Sequence, residues 1–329
     1  MAAGYGRVYW HVLAAGFASI AAQAVAQPAS DWPNKPVRFI VPFPPGGSVD
    51  PLARLTGARL NATLGQQFVV DNRPGGSGAI GTAMGAKSAP DGYTYIVVFD
   101  THAVNPSLIS NLPYDTLKDL SNVMLVGTAP MALTTNPAKP YRNLDDVIKL
   151  AKAKPATLTF GSVGNGSLGH LAMMLTQQQG GMKMIHIPYK GGGPATTDAI
   201  GGQIDFAITS VAVPLPHIKA GRLRAVVTTG ETRASTMPDV QTMIEGGLTG
   251  LAAYAWWGIV APVGIPAVVA DKVHAELVKV YNQPEIRKQL TEQFGMDMKV
   301  STSAEMTKFL TSEITRWARV VKENNIHAD

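Results

Sequence analysis

This sequence predicts an α/β protein of two domains built on largely parallel sheets, and three observations lead there. Short β-branched runs such as VRFIVPF (37–43) and IDFAITS (204–210) alternate with amphipathic segments, the pattern of strand–helix–strand units. The 329 residues, 46% of them hydrophobic, supply apolar material for about two cores. Strand–glycine-turn–helix units recur at Pro44–Asp50, Gly161–Ser167 and Lys190–Thr196.

The elements follow in order. VRFIVPF breaks at Pro44-Pro45-Gly46-Gly47, and a helix continues to about Leu64, with Leu52, Leu55 and Ala58 on its apolar side. QFVVDNRPGGSGAIG reads as strand, turn and helix through Lys87, and GYTYIVVFD as a third strand. MLVGTAPMALTTN (Met124–Asn136) is a long extended stretch. NLDDVIKLAKA is a helix capped by Asn143, and LTFGSV is a strand leading into the second glycine turn. KMIHIPY, IDFAITS and LRAVVTT (Leu223–Thr229) are further strands. YAWWGIVAP precedes two helices, roughly Pro266–Tyr281 and Ser303–Lys322. In the last helix Met306, Phe309, Leu310, Ile314, Trp317 and Val321 form one apolar stripe, the mark of a helix packed on a core.

The first 26 residues read as an export leader. Arg7 supplies the positive end, VLAAGFASIAA (Val12–Ala22) an apolar centre too short for a membrane span, and Ala24-Val25-Ala26 the small-residue cleavage site. Cleavage is expected after Ala26, with Ala24 the alternative, and the mature chain is expected in the periplasm. No internal stretch of about 20 apolar residues follows. The absence of cysteine excludes disulfides and a lipid anchor at the cleavage point. Without Arg7, 27 basic residues face 23 acidic ones, spread without a basic block. Nucleic acid is therefore not an expected partner, whereas a small anion is.

A glycine turn entering a helix exposes N–H groups that lack an intrahelical partner, next to the positive end of the helix dipole. Such a turn attracts a carboxylate or a phosphate. Ser48 or Asp50 is expected to cap the first helix, Ser167 caps the second, and Pro194 suits the start of the third. Gly164, Gly166 and Gly169 spell G-x-G-x-x-G, but no acid stands about 20 residues on, before Asp198, to hold a ribose. No G-x-x-x-x-G-K-[ST] occurs either, so no nucleotide cofactor is expected. Neither Ser162 nor Ser167 sits in G-x-S-x-G. His170, three residues after Ser167, makes a Ser–His pair conceivable, without an orienting acid; its plainer role is helix packing. His102, His186 and His217 are scattered, and no metal site is expected. A binding protein remains, with turns from different halves of the chain facing each other across a cleft. An exported hydrolase and a sensory receptor of the same fold are the alternatives.

The segments VPFPPGGSVDPLAR, VDNRPGGSGAIGT, THAVNPSL, TFGSVGNGSLGHL, IPYKGGGPATTDAIGGQID and WWGIVAPVGIP, in this order, resemble the tripartite tricarboxylate transporter substrate-binding proteins, also called the Bug family. The likeness runs from about Trp32 to the C-terminus. It implies a type II periplasmic-binding-protein fold, two lobes closing like a flytrap: residues 27–128 with 250–329 in one, 129–249 in the other. Met124–Asn136 would be one crossing strand, with the return near Ala252–Gly258. It also implies delivery of a small carboxylate to the membrane subunits of a tripartite transporter; a monomer is the default expectation, and the lack of a catalytic constellation means no enzyme activity is expected.

Transferred by motif, Pro45, Gly46, Gly47 and Ser48 form one side of a backbone cradle, and Gly161, Ser162, Gly164, Asn165, Gly166 and Ser167 the other. Thr101 and His102 stand at the end of the third strand, Lys190, Gly191 and Gly192 supply the third turn, and His170 follows the second. Phe43 either covers the ligand or ends its strand in the core. At Asp100 the family pattern has a small or polar residue. An acid facing the cleft would repel a second carboxylate, pair with an amine or donate through water; alternatively it points away or caps the next turn. Arg54 is expected to form a solvated i, i+4 pair with Asp50.

Overall fold

The computed structural model describes residues 1, 2, 31–324 and 326, so the expected leader and its cleavage site lie outside the described residues. Strands β1 (Val37–Val41), β2 (Phe68–Asn72) and β3 (Thr94–Phe99) are parallel, with β1 in the middle. All five residues of β1 but Arg38 are buried, as expected of a strand covered on both faces by helices. Helix α1 (Val49–Leu64) follows β1 and packs Leu52, Ala53 and Leu60 into the core; its C-terminus turns at Gly65, φ 67°. Helices α2 (Ala79–Ala86) and α3 (Thr101–Leu108) follow β2 and β3.

Strand β4 (Leu120–Thr135) runs through both lobes. Its 16 residues span roughly 50 Å at about 3.3 Å each. Up to Pro130 it pairs antiparallel with β9 (Tyr254–Pro262), which continues the first lobe's sheet beside β3. From Met131 it pairs instead with β7 (Phe206–Ser210) and β8 (Arg224–Thr228). Parallel strands β5 (Thr159–Ser162) and β6 (Ile185–Pro188) extend that second sheet beyond β7. The path across the molecule is β2-β1-β3-β9-β4-β7-β5-β6, with β10 (Asp297–Met298) added to β4. The sheets are thus parallel at the outer strands and antiparallel where β4 and β9 join the lobes. Sequence periodicity had suggested parallel strands because it cannot show strand direction.

Helices α4 (Leu144–Ala153), α5 (Leu168–Gly180), α6 (Gly192–Ile200) and the short α7 (Leu215–Lys219) cover the second sheet. Three helices close the chain: α8 (Ala267–Tyr281), α9 (Pro284–Phe294) and α10 (Ser303–Glu323). The sequence reading anticipated only the first and last of these. Of the apolar stripe on α10, Met306, Leu310, Trp317 and Val321 are buried. Among the described residues no helix is long and apolar enough to cross a membrane.

Candidate functional site

The turn after β1 is fixed from below by Asn72. Its Nδ2 donates to Phe43 O (3.0 Å) and to Asp50 Oδ1 (2.9 Å). Asp50 is also held by Arg54, whose Nε lies 2.9 Å from Oδ2, the expected i, i+4 pair. Neither Ser48 nor Asp50 caps α1. Asp50 is committed to Arg54 and Asn72. The buried Ser48 Oγ accepts from Trp257 Nε1 (3.2 Å) on β9 and lies 3.3 Å from Ser210 Oγ on β7 of the opposite lobe. Phe43 is buried, with its ring at 5.8 Å and 81° to Phe99, which in turn meets Trp257 at 5.4 Å. This aromatic chain sets the floor on which the turn rests.

The turn after β5 uses many of its polar groups internally. Ser162 Oγ donates to Gly164 O (2.9 Å) and lies 2.7 Å from His186 Nε2. The N–H of Gly166 donates to His170 Nδ1 (3.1 Å) and that of Ser167 to Gly164 O (3.1 Å). Ser167 Oγ accepts from the backbone N–H of His170, so it caps α5 as expected. A serine–histidine contact forms between Ser162 and His186, and among the described residues no carboxylate bonds that imidazole. The His186 ring stacks on His170, centroids 3.9 Å apart at 9°, and on Phe160 at 4.9 Å.

Burial, with the neighbouring His170, pushes His186 from 6.5 down to about 3. It is therefore neutral in the fold at any pH where the unfolded chain begins to protonate. Its contribution is nil above pH 6.5 and turns destabilising as the pH falls from there towards 3. Full burial gives about 1.4 kcal/mol per pH unit; partial exposure brings the expected loss to about 1 kcal/mol between pH 6.5 and 5. Urea unfolding across that range is expected to show His186→Gln lacking this part of the pH dependence. Identical slopes for both proteins would remove His186 as the cause.

The two lobes are closed on each other. A Cβ on Gly193 would stand 2.8 Å from Gly46 O, and one on Gly191 3.1 Å from the Pro44 ring. Ser77 Oγ donates to Asn165 O (2.8 Å), and Asn105 Nδ2 holds Ser77 O (3.2 Å). Gly166, with φ 67°, is so close to Leu108 that a Cβ would fall 1.6 Å from its Cδ2. Between the first and third turns lies a small cavity lined by Phe43, Ser48, Phe99, Val163, Gly192 and Ser210 among others. It leaves about 20 Å³ for the centre of a water molecule, room for about one water. Its walls are mainly apolar, with the hydroxyl residues Ser48, Thr209 and Ser210 among them and no lysine or arginine.

The expected residues therefore separate. Phe43, Gly47, Ser48, Gly191 and Gly192 meet at the cavity. Pro45 and Gly46 are exposed and line a separate groove with Tyr189, Gly193 and His217, and Lys190 is exposed. Gly161, Ser162, Gly164, Asn165, Gly166, Ser167 and His170 form the second lobe's turn but do not line the cavity. Thr101 and Asp100 are buried at the start of α3. His102 points away, its ring stacked on Tyr114 at 6.3 Å and edge-on to Trp256, where burial drives it down to about 4. Thr209, Ser210, Phe99, Val163 and the bridging Ser77 were not foreseen. Only the polar end TS of IDFAITS hinted at the first two. Among the described residues no group of three or more His, Cys, Asp or Glu is placed to hold a metal.

Known proteins share this architecture. The chain is 38% identical over 311 residues to Protein BugT of Bordetella pertussis, covering 92% of this chain and 94% of that one. Rpa4515 of R. palustris, solved with adipate, superposes with TM-score 0.87 at 29% identity, over 91% of this chain and 100% of the other. MatC (Rpa3494) from Rhodopseudomonas palustris, solved with bound malate, gives TM-score 0.83 at 29% identity, over 88% and 100%. Residues 52–326 match the pattern described as "Tripartite tricarboxylate transporter family receptor", and the chain that folds into these two lobes belongs to that family.

Proposed function

We propose that the protein captures a small organic carboxylate between its lobes in the periplasm, as a monomer, and delivers it to the membrane subunits of a tripartite tricarboxylate-type transporter. The lobes are taken as residues 27–128 with 250–329, and 129–249. One observation carries the reading: the Pro44–Ser48 turn closes on the Gly191–Gly193 turn over a mainly apolar cavity whose lining includes hydroxyl residues and backbone but no cationic side chain. An anion there is held by N–H and O–H dipoles, which suits a carboxylate with an apolar body better than a multiply charged ion. The adipate and malate bound by the two R. palustris proteins support a small organic acid as the class, although both carry two carboxylates.

Calorimetry of the purified mature chain against aliphatic, aromatic, hydroxy- and amino-acid carboxylates is expected to find a ligand with micromolar or tighter affinity. Binding should fall at least tenfold in Ser48→Ala, which removes the hydroxyl shared by Trp257 and Ser210. A panel without any binder would defeat the proposal. Delivery is tested separately: the ligand-loaded protein should be retained by the reconstituted membrane subunits, and not by a membrane sensor.

A further inference from the structure

Asp100 follows β3 and precedes α3, and it is only 1% exposed. Neither carboxyl oxygen makes a hydrogen bond of normal geometry. The N–H groups acting on it belong to Thr101 and, across the closed cleft, to Leu168, the first residue of α5. The first-turn N–H groups and the dipole of that helix end favour negative charge, so a second carboxylate of a ligand reaching both lobes would compete for it. A carboxyl of the chain itself already faces it. The charged group acting on Asp100 from α10 is Glu313, which like burial raises its pKa; His102 stands two residues on in sequence. Burial holds the pKa of this side chain well above the usual carboxylate range.

We infer that Asp100 is the specificity-determining residue of the cleft: by filling the α5 end with its own carboxyl, it restricts the receptor to acids with a single carboxylate, seated at the Ser48–Ser210–Gly192 end. The inference rests on the carboxylate reading above. A diacid long enough to span the cleft would have to displace Asp100 or leave its second charge desolvated and unpaired, and either outcome discriminates against it.

The test compares matched pairs by calorimetry: hexanoate with adipate, 2-hydroxybutanoate with malate, and hexanoate with 6-aminohexanoate. The proteins are the wild type, Asp100→Ser and Asp100→Asn, each first shown to melt cooperatively. The wild type is expected to prefer the monoacid of at least one pair by tenfold or more. Asp100→Ser, which empties the α5 end, should gain at least tenfold for the diacid of that pair; Asp100→Asn, which keeps the bulk, should retain the monoacid preference. Equal wild-type affinity for mono- and diacids, or a diacid affinity unmoved in Asp100→Ser, overturns the inference and leaves the carboxylate reading standing. Tighter wild-type binding of 6-aminohexanoate than hexanoate, lost in Asp100→Asn, overturns it in favour of an ionised Asp100 that pairs with an amine. No binding by any of the three proteins defeats both.

Discussion

Gly193→Ala is expected to weaken ligand binding at least tenfold while leaving the fold intact. Gly193 is the second residue of α6, and its φ is not in the left-handed region, so alanine fits its backbone without strain. Within its own lobe the change favours helix by roughly 0.5–1 kcal/mol. The obstacle is across the cleft. The new methyl would lie 2.8 Å from Gly46 O and 2.9 Å from Gly46 C. These are main-chain atoms of a turn tied to Asn72 through Phe43 O, and no side chain can rotate out of the way. The lobes must then stop a few tenths of an ångström short, where the Ser48–Ser210 contact is stretched beyond hydrogen-bonding distance. A tenfold loss corresponds to about 1.4 kcal/mol. Calorimetry with the tightest wild-type ligand and a thermal melt of the free protein separate the two effects. Unchanged affinity would mean that the two turns need not touch in the bound state.

Trp257→Ala is expected to cost about 3–5 kcal/mol of folding stability, the range for emptying a large buried aromatic site. Trp257 is fully buried in β9, its backbone in register with Phe99 on β3 and Gly127 on β4. Its ring meets Phe99 at 5.4 Å and Phe294 at 6.4 Å, so one side chain joins the shared sheet, α9 and the aromatic floor of the site. Trp257→Phe keeps much of the packing but removes the donor to Ser48 Oγ; it should cost less stability than alanine and still weaken binding. Denaturant unfolding gives the first quantity and calorimetry the second. A loss below about 1 kcal/mol in Trp257→Ala would show that the neighbouring core collapses into the space.

Several elements were readable because their signals are local. Asn143 accepts from Asp146 N, Ser167 accepts from His170 N, and Arg54 binds Asp50, each within one helical turn. Helix α9 was equally open to reading: Pro284 stands at its start, Ile286, Leu290 and Phe294 repeat every four residues, and Gly295 ends it in the left-handed region. Its high polarity concealed that stripe. Helix α3 was concealed by Pro106, which lacks the N–H for one helical bond; packing of the segment against α10 compensates.

By itself the sequence determined the strand–glycine-turn–helix units, their order, the family and the polar character of each turn, because residues a few positions apart decide these features. Which turns meet was decided only by the tertiary structure. The first turn closes on the third, and the turn after β5 spends several of its amides on His170, Ser162 and its own carbonyls. Asp100 comes to face α5 through the same closure. The two contacts across the cleft, Asp100 with Leu168 and Gly46 with Gly193, join residues 68 and 147 positions apart (168 − 100 and 193 − 46), held at their distances by β4 and β9 running between the lobes. No local pattern encodes them: they follow from where two rigid sheets stop when their loops touch.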